Sequence, residues 1–216
     1  MSPILATECA AAGSLVLTDE VLLGHDPGLG HPECPERLER LLAVVASPPP
    51  GVRVRCVARD AGRWELCAAH DPVYVDGILG VARQHAVIDH ETLLGTGSVP
   101  AAIRAAGVCV ELVEAILAGE VRNGFGLVRP PGHHASRVCG MGYCVFNNVA
   151  IATLAARRCG VERILVVDTD VHYGNGTVDI LRDVDGVLVV SLHQDGLFPR
   201  VPGRSARPQT HAVVAC

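Results

Sequence analysis

The chain has 216 residues, 49% of them hydrophobic and 19% charged, with a formal net charge of -5 at pH 7. That length suits one domain with a sizeable core, and the charge balance excludes the basic footprint of a nucleic-acid binder or of a protein drawn to anionic lipid. The nine cysteines are scattered through a chain too large for a small disulfide scaffold, which fits a reducing compartment. The opening MSPILATECAAAG lacks the basic and long apolar regions of a signal peptide, and no stretch reaches the ~18 apolar residues of a membrane span. A cytoplasmic protein without membrane contact is expected.

In chain order, Leu15–Thr18 reads as a short apolar strand, followed by the loop GHDPGLGHPEC. Pro35 then opens a helix with Leu38, Leu41, Leu42 and Val45 at i, i+3, i+4 and i+7, ended by SPPPG. Val52–Val57 alternates apolar residues with arginine, the mark of a strand near a sheet edge. A less regular helical stretch runs from about Trp64 to His85. The clearest helix spans 98–118, with Ser98 as candidate N-cap and Gly119 as C-cap. Its expected buried stripe is Ala102, Ala105, Cys109, Leu112, Val113, Ile116 and Leu117.

Three apolar strands follow, Phe125–Val128, Ile164–Val167 and Val187–Leu192, separated by helical segments at about Asn147–Arg158 and Thr177–Leu181. Continuous apolar strands joined by helices predict a mainly parallel sheet covered on both faces, a three-layer α/β/α domain.

Open parallel sheets place ligands at the carboxyl ends of their strands. Two polar clusters stand there: RPPGHHASRVCGMGYCVFNN with adjacent His133 and His134, and DTDVH with Asp168, Asp170 and His172. If the strand persists, the last three project to one side. A carboxylate and an imidazole suit zinc or a similar first-row ion better than calcium, with Asp168 orienting a neighbouring histidine. Other readings stay open: a capping cluster for DTDVH, a structured turn for the two histidines, or a zinc ribbon using Cys139 and Cys144. The last lacks the usual Cys-x(2–4)-Cys spacing.

RPPGHHA, GMGYCVFNNVAIA, VVDTDVHYGNGT and SLHQDGLFP together resemble the zinc-dependent histone deacetylases and acetylpolyamine amidohydrolases. HDPGLGHPECPERLERL and AAHDPVYVDGI are similar to their class II and bacterial branch. The resemblance implies an arginase/deacetylase-like fold and hydrolysis of the amide of N-acetyl-lysine or an acetylpolyamine. It makes Asp170 and His172 zinc ligands, His134 the general base and His133 its electrostatic or general-acid partner. Asp168 pairs with His133 and, with Ser191 and the main-chain oxygen of Leu192, forms a monovalent-cation site for potassium. Asn175 orients His134, while Gly142, Tyr143 and Phe198 line a narrow acyl-alkyl channel.

The sequence departs from the family pattern at Thr169 and Tyr173, beside the ligands, and after Pro199. Residues 1–199 are expected to form the N-terminal two-thirds of a deacetylase-like catalytic domain, with 200–216 a divergent tail. The family's third zinc ligand, an Asp, and its oxyanion tyrosine lie downstream. The tyrosines here are Tyr74, Tyr143 and Tyr173, none in that place. The resemblance therefore implies an impaired enzyme, or else an inactive binding or regulatory homologue. A binuclear manganese ureohydrolase is disfavoured, because Tyr173 and Gly174 follow His172 where a second acid is wanted. Histone and small-amine substrates are both left open, as is a homo-oligomer.

Overall fold

A computed structural model describes residues 13–57 and 59–199, and the backbone of 211–215. β1 (Ser14–Thr18) is followed by a 3-10 turn at Glu20–Gly24, α1 (Pro35–Val45) and β2 (Val52–Cys56). The irregular helical stretch resolves into α2 (Arg63–Ala69) and α3 (Pro72–Gly80). A two-residue antiparallel pair, β3 (Ala86–Val87) and β4 (Leu93–Leu94), precedes the long α4 (Ser98–Leu117). Then come β5 (Asn123–Gly126), α5 (Asn148–Arg158), β6 (Ile164–Asp168), α6 (Asn175–Leu181), β7 (Val187–His193) and β8 (His211–Ala215). β8 falls within the stretch read as a divergent tail; the rest of that stretch lies outside the described residues.

The strands form two parallel three-stranded sheets, ordered β2-β1-β5 and β6-β7-β8. β2 is an edge, as its alternating pattern predicts. β1 is buried on both faces: Leu15 and Leu17 pack with Val108 and Val121, and Val16 packs with Leu22 and Leu38. The largest core joins α2, α3, α4, α5 and α6 to β6 and β7 through residues such as Leu66, Val110, Phe146, Ile151, Val166 and Val189. No described helix is both long and apolar enough to cross a membrane.

Three expectations change. Ser98 is the first residue of α4 and not its cap. Its hydroxyl instead accepts the N–H of Gly95 and meets Nδ1 of His25 at 2.7 Å. β5 begins and ends two residues early, at Asn123–Gly126, and the N–H of Leu127 just beyond it still donates to the Leu17 carbonyl of β1. Finally, within the three-layer α/β/α fold, the described residues cover β6 and β7 on one face only. Leu165, Val167, Leu188 and Leu192 are exposed on the other. The outer part of the α4 stripe, from Cys109 to Leu117, lines an open groove and is not sealed in a core.

The segment between β5 and α5 is held by a buried histidine. His70 donates from Nδ1 to the carbonyl of Ser136 at 2.8 Å, and Nε2 accepts the N–H of Asn147 at 2.9 Å. Both bonds need the neutral ring, and burial lowers the pKa to about 4 from the usual 6.5. Above pH 6.5 the ring is neutral whether folded or not. As pH falls toward 4, the unfolded chain takes up a proton that the folded one refuses, so stability falls. Chemical denaturation at pH 7.5 and pH 5 is expected to show a loss of about 2 kcal/mol for this ring, reduced in His70→Gln.

Candidate active site

β5 and β6 both run toward the site. His133 is the seventh residue after β5, and Asp168 is the last residue of β6. Nδ1 of His133 donates to Oδ2 of Asp168 at 2.9 Å. Burial alone would raise the Asp168 pKa, but the bond from His133 and its charge hold the carboxyl below the usual range.

The strand does not persist to His172, so alternation is not what gathers these side chains. The chain turns after Asp168 by side chain-to-backbone bonds of the Asx type. The N–H of Asp170 donates to Oδ1 of Asp168 at 3.1 Å, and that of His172 donates to Oδ1 of Asp170 at 2.8 Å. The same Asp170 oxygen lies 3.0 Å from Nδ1 of His172 and 3.9 Å from Nε2 of His133. Gly174 follows because a side chain there would run into the Asp168 carboxylate.

His134 is buried, with its ring 3.9 Å from that of His133 and 5.9 Å from that of His172. Its Nδ1 donates to Oδ1 of Asn175 at 2.7 Å, which leaves the Nε2 lone pair free to accept. Burial first, and then the neighbouring His133, lower its pKa to about 4. The ring is a neutral base at pH 7. The tandem histidines are also fixed through their backbone. The first-turn N–H groups of Gly176 and Thr177 in α6 both donate to the His133 carbonyl, as helix-end donors require a partner.

Gly142, Tyr143 and Phe198 join His133, His134, Asp170 and His172 around a cavity of about 400 Å³. Phe198 stands edge-on to His134 with centroids 5.1 Å apart. Gly142 and Tyr143 are both left-handed, at φ 54° and 68°. Ser191 sits opposite Asp168 in the β6–β7 register, its hydroxyl 2.9 Å from Nδ1 of His193. The Leu192 side chain is exposed. Apart from Leu192, every site residue singled out from the sequence lies in or beside one region.

Sequence reasoning missed the rim. Pro32, Arg37, Glu91 and Pro131 also line the cavity. His31 stands edge-on to Tyr143 at 4.8 Å and donates to the carbonyl of Glu91 at 3.0 Å. The loop carrying His31 is anchored by Glu33, buried and doubly bonded by Arg129, which also donates to the carbonyl of Leu22. Asn147 caps α5 and donates to the carbonyl of Ala135, and Asn148 donates to that of Pro130. The motifs contained these residues, Glu91 excepted, but pairs such as Glu33 and Arg129 are too far apart in sequence to match.

This arrangement is that of a known family. Residues 31–212 match the family model described as the histone deacetylase domain. The chain is 38% identical over 204 residues to histone deacetylase 15 of Arabidopsis thaliana, covering 91% of this chain and 37% of that one. It is 42% identical over 180 residues to polyamine deacetylase HDAC10 of Homo sapiens, covering 76% and 26%. The crystal structure of the HDA15 HD domain superposes with a TM-score of 0.83 at 36% identity, over 89% of this chain and 57% of that one. The chain thus belongs to the histone deacetylase family. It spans 26–37% of the length of these curated relatives and just over half of the solved domain.

The channel wall leaves no room at Gly142. A Cβ there would stand 2.6 Å from Cδ2 of His134 and 2.9 Å from Cε1 of Phe198, on a backbone that side chains rarely adopt. Gly142→Ala is expected to cost about 1–3 kcal/mol and to displace the His134 ring. Thermal unfolding and the histidine ring resonances in NMR spectra check both.

Proposed function

We propose that the site hydrolyses the amide of an N-acetylated lysine or polyamine, with zinc as its resident ion. The observation that carries this reading is the neutral His134. Its free Nε2 opens on the cavity that also holds Asp170 and His172. The printed names of the relatives, histone deacetylase and polyamine deacetylase, support the substrate class without choosing within it.

Asp170 and His172 present a carboxylate oxygen and an imidazole nitrogen 3.0 Å apart, a donor pair that suits zinc. Among the described residues no group of three or more His, Cys, Asp or Glu is arranged for a metal. The pair accounts for two of the three protein ligands a catalytic zinc takes, and in this reading the third comes from outside the described residues. When bound, zinc polarises the amide carbonyl and eases the ionisation of water.

The chain's own groups supply the rest. Nε2 of His134 takes the proton from the attacking water, while Asn175 holds the ring in the tautomer that makes this possible. His133, kept upright by Asp168, delivers a proton to the leaving amine or steadies charge beside it. Phe198, Tyr143 and Gly142 bound a slot slim enough for an uncharged acyl-alkyl chain and keep water from it. Asp168, Ser191 and the main-chain oxygen of Leu192 are the proposed potassium site behind the catalytic residues.

A second reading, a catalytically silent homologue that binds acylated ligands, rests on the two-donor count. Two donors where a catalytic zinc takes three predict slow turnover by the 216-residue chain. The deciding assay is deacetylation of an acetyl-lysine peptide and an acetylpolyamine by the purified chain, with and without a chelator, beside His134→Ala. Slow, chelator-sensitive turnover abolished in His134→Ala is expected. A folded chain that neither turns over substrate nor binds zinc in calorimetry would refute the catalytic reading.

A further inference from the structure

The rim of the catalytic cavity carries one side chain of each charge sign, Glu91 and Arg37, beside Pro32 and Pro131. Neither takes part in the chemistry proposed for the bottom of the slot. Glu91 is held in place by its backbone. Its N–H donates to Oδ1 of Asp89 at 3.0 Å, and its carbonyl accepts from Nε2 of His31 at 3.0 Å. The hydroxyl of the next residue, Thr92, accepts the N–H of Tyr143, so Glu91 stands beside the slot wall. Burial first, and then the charge of Glu91, raise the Tyr143 pKa above its usual value. Arg37 stands in the first turn of α1, with Nη1 3.3 Å from Oε1 of Glu33.

Both side chains keep bonding capacity in reserve. Among the described residues the Glu91 carboxylate accepts no hydrogen bond, and its one ionic contact is the exposed His90 ring at 4.0 Å. Glu33 already has Arg129 as a buried partner, and the Arg37 side chain is 62% exposed. No ion pair joins Arg37 to Glu91 among the described residues. Two opposite charges on one rim that do not close on each other leave a place for a ligand that carries both.

The candidate substrates differ in how they meet such a rim. A neutral peptide backbone leaves both charges without a counter-charge. A polyamine, cationic along its length, meets Glu91 favourably and Arg37 unfavourably. An α-amino acid head group holds an ammonium and a carboxylate on one carbon and answers both. The slot below suits an acetylated amine on a slim alkyl stem, and that stem joined to that head is free Nε-acetyl-lysine.

We infer that the mouth of the cavity selects the free amino acid Nε-acetyl-lysine, with Glu91 receiving its α-ammonium and Arg37 its α-carboxylate. The inference rests on the deacetylase reading of the slot and deepens it, choosing a zwitterion over a peptide or a polyamine. Glu91 and Arg37 set specificity, and neither moves a proton in the reaction.

The test reads binding to the full chain, so it does not depend on the rate of turnover. Nε-acetyl-lysine carries both charges, N-acetylcadaverine only the ammonium and 6-acetamidohexanoate only the carboxylate. Nε-acetyl-lysine capped at both ends carries neither. Dissociation constants come from ligand-observed NMR titrations at low ionic strength, where exposed charges are least screened. Nε-acetyl-lysine is expected to bind about five- to tenfold more tightly than each of the other three. Glu91→Gln is expected to reduce it to the affinity of 6-acetamidohexanoate, and Arg37→Gln to that of N-acetylcadaverine, with the circular dichroism unchanged. Should a variant fail to fold, the ranking of the four ligands on the unaltered chain decides. Equal affinity for all four, or tighter binding of the capped or the ammonium-only ligand, would overturn the inference and leave deacetylation standing. Binding of none of them would overturn both.

Discussion

Asp168 closes β6 with its carboxylate 2.9 Å from Nδ1 of His133, on the segment that leaves β5. Through this bond the ends of two sheets that share no backbone hydrogen bond meet in one place. Each partner is committed elsewhere as well. Asp168 also accepts the N–H of Asp170 and so starts the turn toward His172, and the His133 carbonyl receives the first N–H groups of α6. A single half-buried carboxylate thereby sets the direction of one histidine, the path of the two candidate ligands and the position of a helix. The cost of burying it is offset by hydrogen bonds and by the His133 charge.

The wall of the cavity depends on a second charge, and this one is fully buried. Glu33, 1% exposed, is bonded in bidentate fashion by Arg129, and Nε2 of His25 lies 3.3 Å away. Burial and the Arg129 charge push the His25 pKa down to about 3, so this ring stays neutral and Arg129 remains the partner of Glu33. The pair fastens the loop 25–34 to the start of the segment that carries the tandem histidines. His31 can then stand against Tyr143, whose own N–H is held by the Thr92 hydroxyl at 3.0 Å. A channel wall built from a left-handed tyrosine is tolerable only because contacts on both sides determine its place.

The uneven covering of the sheets follows from the same economy of layers. β1 has helices against both faces, while β6 and β7 have α5 and α6 against one. The residues on the open face, Leu165, Val167, Leu188 and Leu192, are as apolar as those on the covered one.

The sequence by itself determined the helices and strands with strong periodicity and the motif residues from His133 to Phe198. Those signals are local: repeats of two or 3.6 residues, a proline that opens α1, a pair of histidines after a strand. Tertiary structure decided what depends on distant partners. It ended β6 at Asp168, because the Asp168 carboxylate captures the N–H of Asp170 at the point where a ladder would otherwise continue. It made Ser98 a partner of His25 in place of a helix cap, brought Glu91 and Arg37 to the rim, and joined Glu33 to Arg129. It also left Leu117, at the end of the α4 stripe, exposed. Periodicity says which face of an element is apolar, but only the packing of remote segments decides whether that face is covered.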